Sequence, residues 1–355
     1  MHHLKKSHTI YLIDLKGAIV GKVSIKNIAQ RLGVSIATVS LVLNGKEKGG
    51  KGGRVGDEMA EKIRQTAKEM HYEPNNLARG LRMGRSQTIG LVVADISNSF
   101  FAHLAFHIQE YAETFGYSVF ITNTNESDGK LVKILDILLS HQVDGLIIVP
   151  TEHSLESIEN LVTKKIPLVL LDRWFPELQT CHVVIDNYKA SRSAVQYLID
   201  SECKRIAYFG YHVLLPHMLE RERGYVDVMK KNGLFVEDLI KGINYVSINS
   251  DIENALNDLF INDNVEKVDG IFFATNSISM LGIKHLMKLG IKIQEDVKIM
   301  CFDKNEAFEY MEHLIPFVLQ PIPEMGKMAV DLLISQIKKE TSTLGKVELY
   351  AKLNT

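Results

Sequence analysis

The chain has 355 residues, a length that favours two or more folding units, and its 46% hydrophobic content is enough to form buried cores. Its formal net charge of −2 means that the chain as a whole is neither a polycation nor a polyanion. Three widely spaced cysteines indicate neither a disulfide framework nor a zinc site, and they predict a reducing, cytoplasmic location.

Charge is unevenly distributed along the chain. Residues 22–87 contain 13 Lys and Arg against 6 Asp and Glu, whereas residues 88–355 contain 25 against 36. A basic head on an acidic body is typical of a polyanion-binding module joined to a different unit. We expect residues 1–22 to be a disordered N-terminal extension, because they lack the uninterrupted apolar core of a signal peptide. No apolar run reaches the roughly 18 residues of a membrane span, so we expect no membrane partner.

Residues 23–44 predict two short helices joined by a tight turn. The first shows one apolar face at helical spacing, Gly33 ends it, and Ser35 can cap a second helix that runs to about residue 43. An ordinary helical hairpin is the alternative interpretation. The small Ala29, the turn glycine and a run of short hydroxyl side chains favour a helix-turn-helix that binds DNA. The side chains predicted to face the duplex are Ser35, Ile36, Ala37, Thr38, Ser40, Leu41 and Asn44.

A loop rich in glycine and lysine follows, and a third helix ends near Tyr72. We therefore assign residues 23–73 to the DNA-binding domain. The loop, residues 45–54, is either a flexible connector or a mobile basic segment that contacts phosphates, and the sequence leaves both interpretations open.

Residues 74–87 predict a hinge helix and linker. Pro74 disfavours helix in the residue before it, and Gly80 weakens a short helix that would be marginal alone. A DNA groove could fold this helix, with a leucine wedged between base steps; a plain linker is the alternative. The predicted DNA contacts here are Asn76, Ala78, Leu81 and Arg82.

From residue 88 onward, apolar strands alternate with amphipathic helices in two consecutive series. This pattern predicts an α/β domain, residues 88–355, made of two doubly wound subdomains with parallel sheets and a cleft between them. The predicted strands cover residues 88–94, 118–122, 145–149, 167–171 and 182–185 in the first series, and 205–210, 244–248, 270–274 and 297–302 in the second.

Polar and aromatic side chains follow several of these strands. Ligands of open parallel sheets bind beyond the carboxyl ends of the strands, so the set outlines a polyol or sugar pocket. Any one member could instead be a helix cap or a surface group. The predicted effector-binding residues of this set are Asn98, Phe100, Phe101, Asp172, Arg173, Arg221, Asn276 and Asp303.

Two other functional classes would also use a cleft of this kind. An enzyme could use Asp95, Asp172 and Asp303, but the sequence has no phosphate-binding loop, nucleophile elbow or metalloprotease motif, so we predict no catalysis, no cofactor and no metal. A periplasmic binding protein would share the cleft, but the basic head and the missing signal peptide count against it.

Several motifs together resemble the lactose-repressor (LacI/GalR) family of bacterial transcription regulators, over about residues 23–355. The matching segments are VSIKNIAQRLGVSIATVSLVLNG, EPNNLARGLR, GRSQTIGLVVADISNSFF, QVDGLIIVP, VLLDR, VVIDNY, RERGY, ATNS, CFD and QPIPEMGKMA.

The resemblance implies an all-α helix-turn-helix head and a periplasmic-binding-protein-like effector domain. Its N-subdomain would cover about 88–187 plus 322–343, and its C-subdomain about 188–321 plus 344–355. It also implies a homodimeric repressor of carbohydrate-use genes that binds a near-palindromic operator under control of a sugar-like effector. The resemblance adds Gln320 to the predicted effector-binding residues, which then number nine.

Four substitutions depart from the family pattern. Leu41 replaces an arginine, which removes a bidentate guanine contact and leaves a head that reads thymine methyl groups and groove shape. Ser99, Ser277 and Lys304 replace a proline and two aspartates around the cleft, so the effector's identity does not follow from the resemblance.

Deleting residues 46–53 tests the phosphate-contact interpretation of the basic loop. We expect the deletion to lower affinity for DNA of any sequence and to flatten the dependence of affinity on salt, because fewer counterions are released on binding. Fluorescence anisotropy at several salt concentrations measures both quantities. Unchanged affinity and slope would show that the loop is a connector.

Overall fold

The computed structural model of the chain describes residues 23–45, 55–72, 85–262, 266–340 and 345–355. The chain divides into two units, Met1–Arg79 and Gly80–Thr355. Within the described ranges, no helix is both long enough and apolar enough to cross a membrane.

The described part of the first unit contains three helices, as the sequence predicts for this stretch. Gly33 ends the first helix with a left-handed φ of 64°, a conformation that glycine adopts without strain. Ser35 begins the second helix, because its Oγ accepts a hydrogen bond from the backbone N–H of Thr38 at 3.0 Å. The helices are α1 (Ile25–Leu32), α2 (Ile36–Leu43) and α3 (Asp57–Glu69).

Small and branched apolar side chains from all three helices form the core of this unit. Val39 and Val42 of α2 are fully buried, which leaves the opposite face of α2 outside the core. The other buried members are Ile28, Ala29, Ala60, Ile63 and Ala67.

In the second unit, the described residues form two six-stranded sheets. The first has the order β11-β5-β4-β3-β1-β2, with every neighbouring pair parallel, and the second has the order β12-β10-β9-β8-β6-β7, in which β12 alone is antiparallel. The strands are β1 (Thr88–Val93), β2 (Ser118–Asn123), β3 (Gly145–Ile148), β4 (Leu168–Leu171), β5 (Cys181–Ile185), β6 (Ile206–Tyr211), β7 (Ile240–Ile243), β8 (Gly270–Phe273), β9 (Lys298–Phe302), β10 (Phe317–Leu319), β11 (Lys346–Leu349) and β12 (Lys352–Asn354).

Helices cover the sheets and define two lobes. The first lobe contains the first sheet with α4, α5, α6 and α11, and the second lobe contains the second sheet with α7 to α10. Within the described residues the chain crosses between the lobes three times, after β5, after β10 and after β11. The helices are α4 (Ser99–Thr114), α5 (Asp128–Ser140), α6 (Leu155–Thr163), α7 (Asn187–Asp200), α8 (Pro216–Lys231), α9 (Ile248–Phe260), α10 (Asn276–Lys288) and α11 (Ile322–Lys338).

The predicted strand at residues 244–248 is wrong. The strand is Ile240–Ile243, and residue 248 already begins α9. The carboxylate of Asp251 turns the chain between them, because it accepts hydrogen bonds from the backbone N–H of Asn244 at 2.9 Å and from the Ser247 hydroxyl at 2.9 Å. Val246 is 98% exposed, so this segment has no sheet or core to pack on.

Two predicted boundaries also differ from the structure. Residues 344–355 were assigned wholly to the C-subdomain, but β11 pairs with β5 in the first sheet and only β12 joins the second. Residues 85–87 were assigned to the hinge and linker, but the Asp144 carboxylate accepts hydrogen bonds from the backbone N–H groups of Ser86 and Gln87 at 2.7 and 2.9 Å. These three residues therefore belong to the first lobe.

The contact between α7 and α8 generates a prediction about stability. A Cβ atom at Gly224 would lie 2.7 Å from the backbone oxygen of Tyr188 and 2.8 Å from Cβ of Ser191. We expect Gly224→Ala to lower the free energy of unfolding by about 1–3 kcal/mol, because the two helices would have to separate. Urea denaturation measures this change.

The control for that variant is Gly129→Ala, because a Cβ added at this position in α5 meets no atom within 4 Å. This variant should keep or slightly raise stability, since alanine favours helix over glycine by up to about 1 kcal/mol. Equal effects of the two substitutions would contradict the packing argument.

Candidate functional site

The predicted DNA-facing residues of the head lie along α2 and at its two ends. The apolar side chain of Ile36 is 46% exposed, so it does not contribute to the core of this unit. Ser35, Ala37 and Asn44 are also exposed, while Thr38, Ser40 and Leu41 are half-buried. The face of α2 that points away from the core therefore combines apolar and hydroxyl groups.

Hydrogen bonds fix the two ends of α2. The Ser35 and Thr38 hydroxyl oxygens lie 2.8 Å apart at its start. At its end, Nδ2 of Asn44 donates to the backbone oxygen of Ser40 at 2.6 Å. These bonds hold the polar side chains in a defined geometry on the exposed face. The predicted hinge contacts Asn76, Ala78, Leu81 and Arg82, like the basic loop, lie outside the described residues.

A cleft lies between the two lobes at the carboxyl ends of their strands, where ligands of parallel sheets bind. It encloses about 450 Å³ of space not filled by atoms, part of it open to solvent. The structure brings eight of the nine predicted effector residues to its walls, namely Asn98, Phe100, Phe101, Asp172, Arg173, Arg221, Asp303 and Gln320.

Two aspartates occupy equivalent positions in the two lobes. Asp172 follows β4 and Asp303 follows β9, and each has a left-handed φ, of 65° and 72°. Their backbone N–H groups donate at 2.9 Å to Val183 and Val318 of the neighbouring strands. Aspartate tolerates this conformation better than most residues. Both side chains are more than 90% buried at the cleft.

Arg173 is neutralised by a carboxylate of its own lobe. Its Nη1 and Nη2 donate to the two carboxylate oxygens of Glu126 at 2.7 and 2.6 Å. Burial alone would lower the pKa of Arg173, but the Glu126 charge outweighs it and raises that pKa. Nε is buried and, in the part of the chain that the structure describes, makes no hydrogen bond; Asp172 lies 3.7 Å from it.

Arg221 is held by groups of the second lobe. Its Nε donates to Oδ1 of Asn187 at 2.8 Å, its Nη1 donates to the backbone oxygen of Ala274 at 2.7 Å, and its guanidinium lies 3.5 Å from the ring centroid of Phe302. Burial lowers the pKa of Arg221, and the charges of Asp303 and Asp172 oppose that shift. Arg221 is therefore a rigidly held cation that attracts the carboxylates of both Asp303 and Asp172.

Burial changes the proton affinity of the cleft acids. It raises the pKa of Asp303 to about 6, although Arg221 and the Gln320 side chain, which donates to Oδ1 at 2.7 Å, oppose the shift. Burial also raises the pKa of Asp172 against the attraction of Arg173. The pKa of His217 is lowered well below its ordinary value by burial and then by the two arginines, so its imidazole is neutral.

Hydrogen bonds across the cleft join the lobes. Nδ2 of Asn98 donates to Oγ of Ser277 at 3.3 Å, and the hydroxyl of Tyr245 donates to Oδ2 of Asp95 at 3.3 Å. Burial, and then the Asp95 charge, raise the pKa of Tyr245 to about 12, so this hydroxyl keeps its proton. The two bonds hold the cleft partly closed.

Asn276 is the predicted effector residue that does not line the cleft. Its Nδ2 donates to the backbone oxygen of Lys304 at 3.3 Å, and its Oδ1 accepts from Asn305 at 3.3 Å. The amide thus holds the loop that follows β9. Its neighbours Thr275 and Ser277 line the cleft instead.

Sequence reasoning missed five residues of the cleft wall: Glu126, Tyr211, His217, Tyr245 and Thr275. Glu126 follows β2, Tyr211 ends β6 and Tyr245 follows β7, so each lies at a carboxyl strand end. The rule that found the aspartates applies to these positions as well. The rule did not identify Tyr245, because the predicted strand begins four residues too late and includes this residue.

Among the described residues, no cluster of three or more His, Cys, Asp or Glu side chains could hold a metal ion. The charged groups of the cleft are instead arranged as acid–base pairs and single carboxylates, which suits hydrogen bonding to an organic ligand.

Comparison with known proteins relates both units to one family. Residues 24–75 match the family described as "Bacterial regulatory proteins, lacI family", and residues 86–351 match "Periplasmic binding proteins and sugar binding domain of LacI family". Catabolite control protein A of Priestia megaterium is 31% identical over 328 residues, which cover 92% of this chain and 96% of the relative. The ribose operon repressor of Halalkalibacterium halodurans is 30% identical over 330 residues, which cover 93% and 95%.

A solved structure with a bound sugar is also similar. It is a periplasmic binding protein/LacI transcriptional regulator from Alkaliphilus metalliredigens complexed with D-xylulofuranose, with 26% identity and a TM-score of 0.65. The similarity covers 76% of this chain and 97% of that one.

The buried carboxylate of Asp303 generates a prediction about pH. Because its pKa is about 6 in the folded chain and 3.8 is the ordinary value, the folded state binds the proton more tightly, and that stabilisation is lost as pH rises through 6. Asp303→Asn has no carboxyl group to titrate, so the difference between its free energy of unfolding and that of the unsubstituted chain should move in favour of the variant by about 1 kcal/mol from pH 5 to pH 7, whatever the separate cost of removing a partner of Arg221.

Urea denaturation from pH 5 to 8 measures this difference for the variant and for the unsubstituted chain. The difference should move in favour of Asp303→Asn from pH 5 to 7 and then level off. Asp136→Asn is the control, because it removes an exposed carboxylate of α5. A difference for Asp303→Asn that is the same at pH 5 as at pH 8 would contradict the burial of a charged group.

Proposed function

Because this chain belongs to the LacI family of bacterial regulatory proteins, we propose that it is a sequence-specific repressor of carbohydrate-use genes. A sugar-like effector that binds in the cleft would control its affinity for the operator. The chain is a regulator and not an enzyme, which sets aside catalysis by the cleft aspartates. A periplasmic binding protein would not account for the match over residues 24–75.

One observation carries this proposal: the same chain has a helix-turn-helix head and a cleft with buried, incompletely paired polar groups. The head supplies a surface for DNA, and the cleft supplies a site for a small molecule. The sugar class is supported by the family description of residues 86–351 and by the D-xylulofuranose complex of the similar regulator. A protein of this function acts on chromosomal DNA, so we expect it in the cytoplasm.

We propose that α2 enters the major groove of the operator. Its hydroxyl side chains, Ser35, Thr38 and Ser40, are of a type that contacts phosphates, and Asn44 lies at the helix end. The exposed Ile36 and its neighbours Ala37 and Leu41 would contact thymine methyl groups. The hinge residues Asn76, Ala78, Leu81 and Arg82 would bind the minor groove.

We propose that the active form is a homodimer, which matches a near-palindromic operator by its two-fold symmetry. The first lobe exposes apolar side chains on its edge strand β2 and on the helices before and after it. Phe106 and Ile137 are 55% and 54% exposed, and Phe120, Ile121 and Val132 are exposed as well. A cluster of this kind on a folded unit is typical of an interaction surface.

Effector binding would reach the head through the first lobe. An effector that replaces or reinforces the bonds Asn98–Ser277 and Tyr245–Asp95 changes the balance between lobe arrangements. Residues 85–87 are hydrogen-bonded to the first lobe and directly follow the hinge in sequence. A change in the first lobes of a dimer therefore alters the spacing of the two hinges.

Selection of genomic fragments tests this function. Purified protein should enrich a small set of fragments from its source genome over random duplex, and at least one carbohydrate should change the affinity for them in a gel-shift assay. Enrichment of no fragment, with or without carbohydrates, would overturn the proposal.

Charge-matched variants locate the contact. Ile36→Glu should weaken operator binding at least about tenfold, because it places a carboxylate against the duplex and removes an apolar contact. Gln65→Glu makes the same charge change on the exposed surface of α3 and should weaken binding less. Equal losses would show that α2 is not the reading helix.

A further inference from the structure

The carboxylates of the cleft outnumber its cations. Four acids line it, Asp95, Glu126, Asp172 and Asp303, against two arginines. The cleft is therefore net negative even when one acid carries a proton. An anionic ligand would enter against this charge, in a place where burial weakens screening by water and salt.

Both guanidinium groups are already engaged by the protein. Glu126 occupies both terminal nitrogens of Arg173, in the bidentate geometry that a phosphate or carboxylate ligand would need. Arg221 has two of its nitrogens committed to Asn187 and Ala274. Neither arginine thus presents a free fork to an anion.

Helix N-termini, the other common sites for anions, are partly occupied by groups of the protein itself. In α4, the backbone N–H of Phe100 donates to Asn98 at 3.0 Å. In α10, the backbone N–H of Ile278 donates to Thr275 at 3.3 Å. The first residue of α8 is Pro216, which has no N–H to offer. Each of these three helices therefore offers an anion fewer backbone donors than an uncapped N-terminus would.

The cleft mainly lacks hydrogen-bond donors. Oε1 of Gln320 is buried and, among the described residues, accepts no hydrogen bond. Asp172 accepts none from a side chain within the same ranges, and its closest cation is 3.7 Å away. Nε of Arg173 is the complementary case, a buried donor with no acceptor in the described ranges. Hydroxyl groups serve all three, because each can both donate and accept.

We propose that the cleft selects an uncharged or amine-bearing polyhydroxy compound and discriminates against its phosphorylated or acidic counterparts. The proposal rests on the function given above and adds the charge class of the effector. Glu126 is the specificity residue, because it occupies the two terminal nitrogens of Arg173 that an anion would otherwise bind. Phe101, over which Arg173 lies at 5.8 Å, belongs to the apolar part of the same wall.

Calorimetric titration of the full-length protein with matched sets of sugars tests the charge class. One set is glucose, glucosamine, glucose 6-phosphate and glucuronate; the corresponding galactose compounds form another, and xylulose with xylulose 5-phosphate a third. In any set that binds, the neutral or amino member should bind at least about tenfold more tightly than the anionic members. An anionic member that binds as tightly or more tightly overturns this proposal and leaves the repressor function standing.

If no member of any set binds while operator binding persists, the sugar-effector part of the proposed function is wrong and this inference falls with it. A variant supplies a test that does not require the natural effector. Glu126→Gln frees Arg173, so inorganic phosphate should raise the melting temperature of this variant and leave that of the unsubstituted protein unchanged. Glu110→Gln makes the same charge change on the exposed surface of α4 and should gain no phosphate response.

Two results would contradict the role of Glu126. One is an unsubstituted protein already stabilised by phosphate to the same extent as Glu126→Gln; the other is a Glu126→Gln protein that folds and shows no phosphate response. If Glu126→Gln does not fold, Asp95→Asn removes a cleft carboxylate without unpairing a buried cation. Asp95→Asn should then reduce the preference for the neutral member over its phosphate, and an unchanged preference would count against the proposal.

Discussion

The buried Arg221 guanidinium links the charges of the two lobes. It lies on the ring of Phe302, it is fixed by Asn187 and Ala274, and it interacts with Asp303 of its own lobe and Asp172 of the other. An isolated buried charge would be strongly destabilising, so the cation and the two carboxylates depend on one another. The chemistry of the cleft follows from this dependence, because the charged groups hold one another in place and leave neighbouring polar atoms, such as Oε1 of Gln320 and Nε of Arg173, without a hydrogen bond among the described residues.

Stability and binding make opposite demands at this site. Two aspartates in the left-handed region, a carboxylate with a raised pKa and buried atoms that find no partner among the described residues all lower the stability of the free protein. Such features persist in a folded chain when a function requires them. The cleft shows them together, whereas the core of the head consists of apolar side chains in ordinary packing.

Much of this architecture follows from sequence patterns of two kinds. The apolar periodicity predicted the three helices of the head and the two series of strands, because burial of one face is a local property of the sequence. The rule of carboxyl strand ends found Asp172 and Asp303, and it would have found Tyr245 if β7 had been placed correctly. The error arose because NYVSI has strand-like composition, while Asp251, several residues later, turns the chain through its side chain.

Other features of the site depend on contacts that no local pattern contains. The pairing of Glu126 with Arg173 joins residues 47 positions apart, and Asn276 is turned from the cleft by a loop 28 residues later. The split of the last segment between two sheets is of the same kind, since β11 and β12 are both short and polar and only their partners distinguish them.

That split has a mechanical consequence. Only Tyr350 and Ala351 separate β11 of the first sheet from β12 of the second, and each strand is anchored by its own ladder of backbone hydrogen bonds. Two residues are too few to let the sheets slide or separate at this edge. The lobes can therefore move relative to each other only by rotation about an axis close to these crossings. A small displacement at the cleft then becomes a larger displacement at the far ends of both lobes.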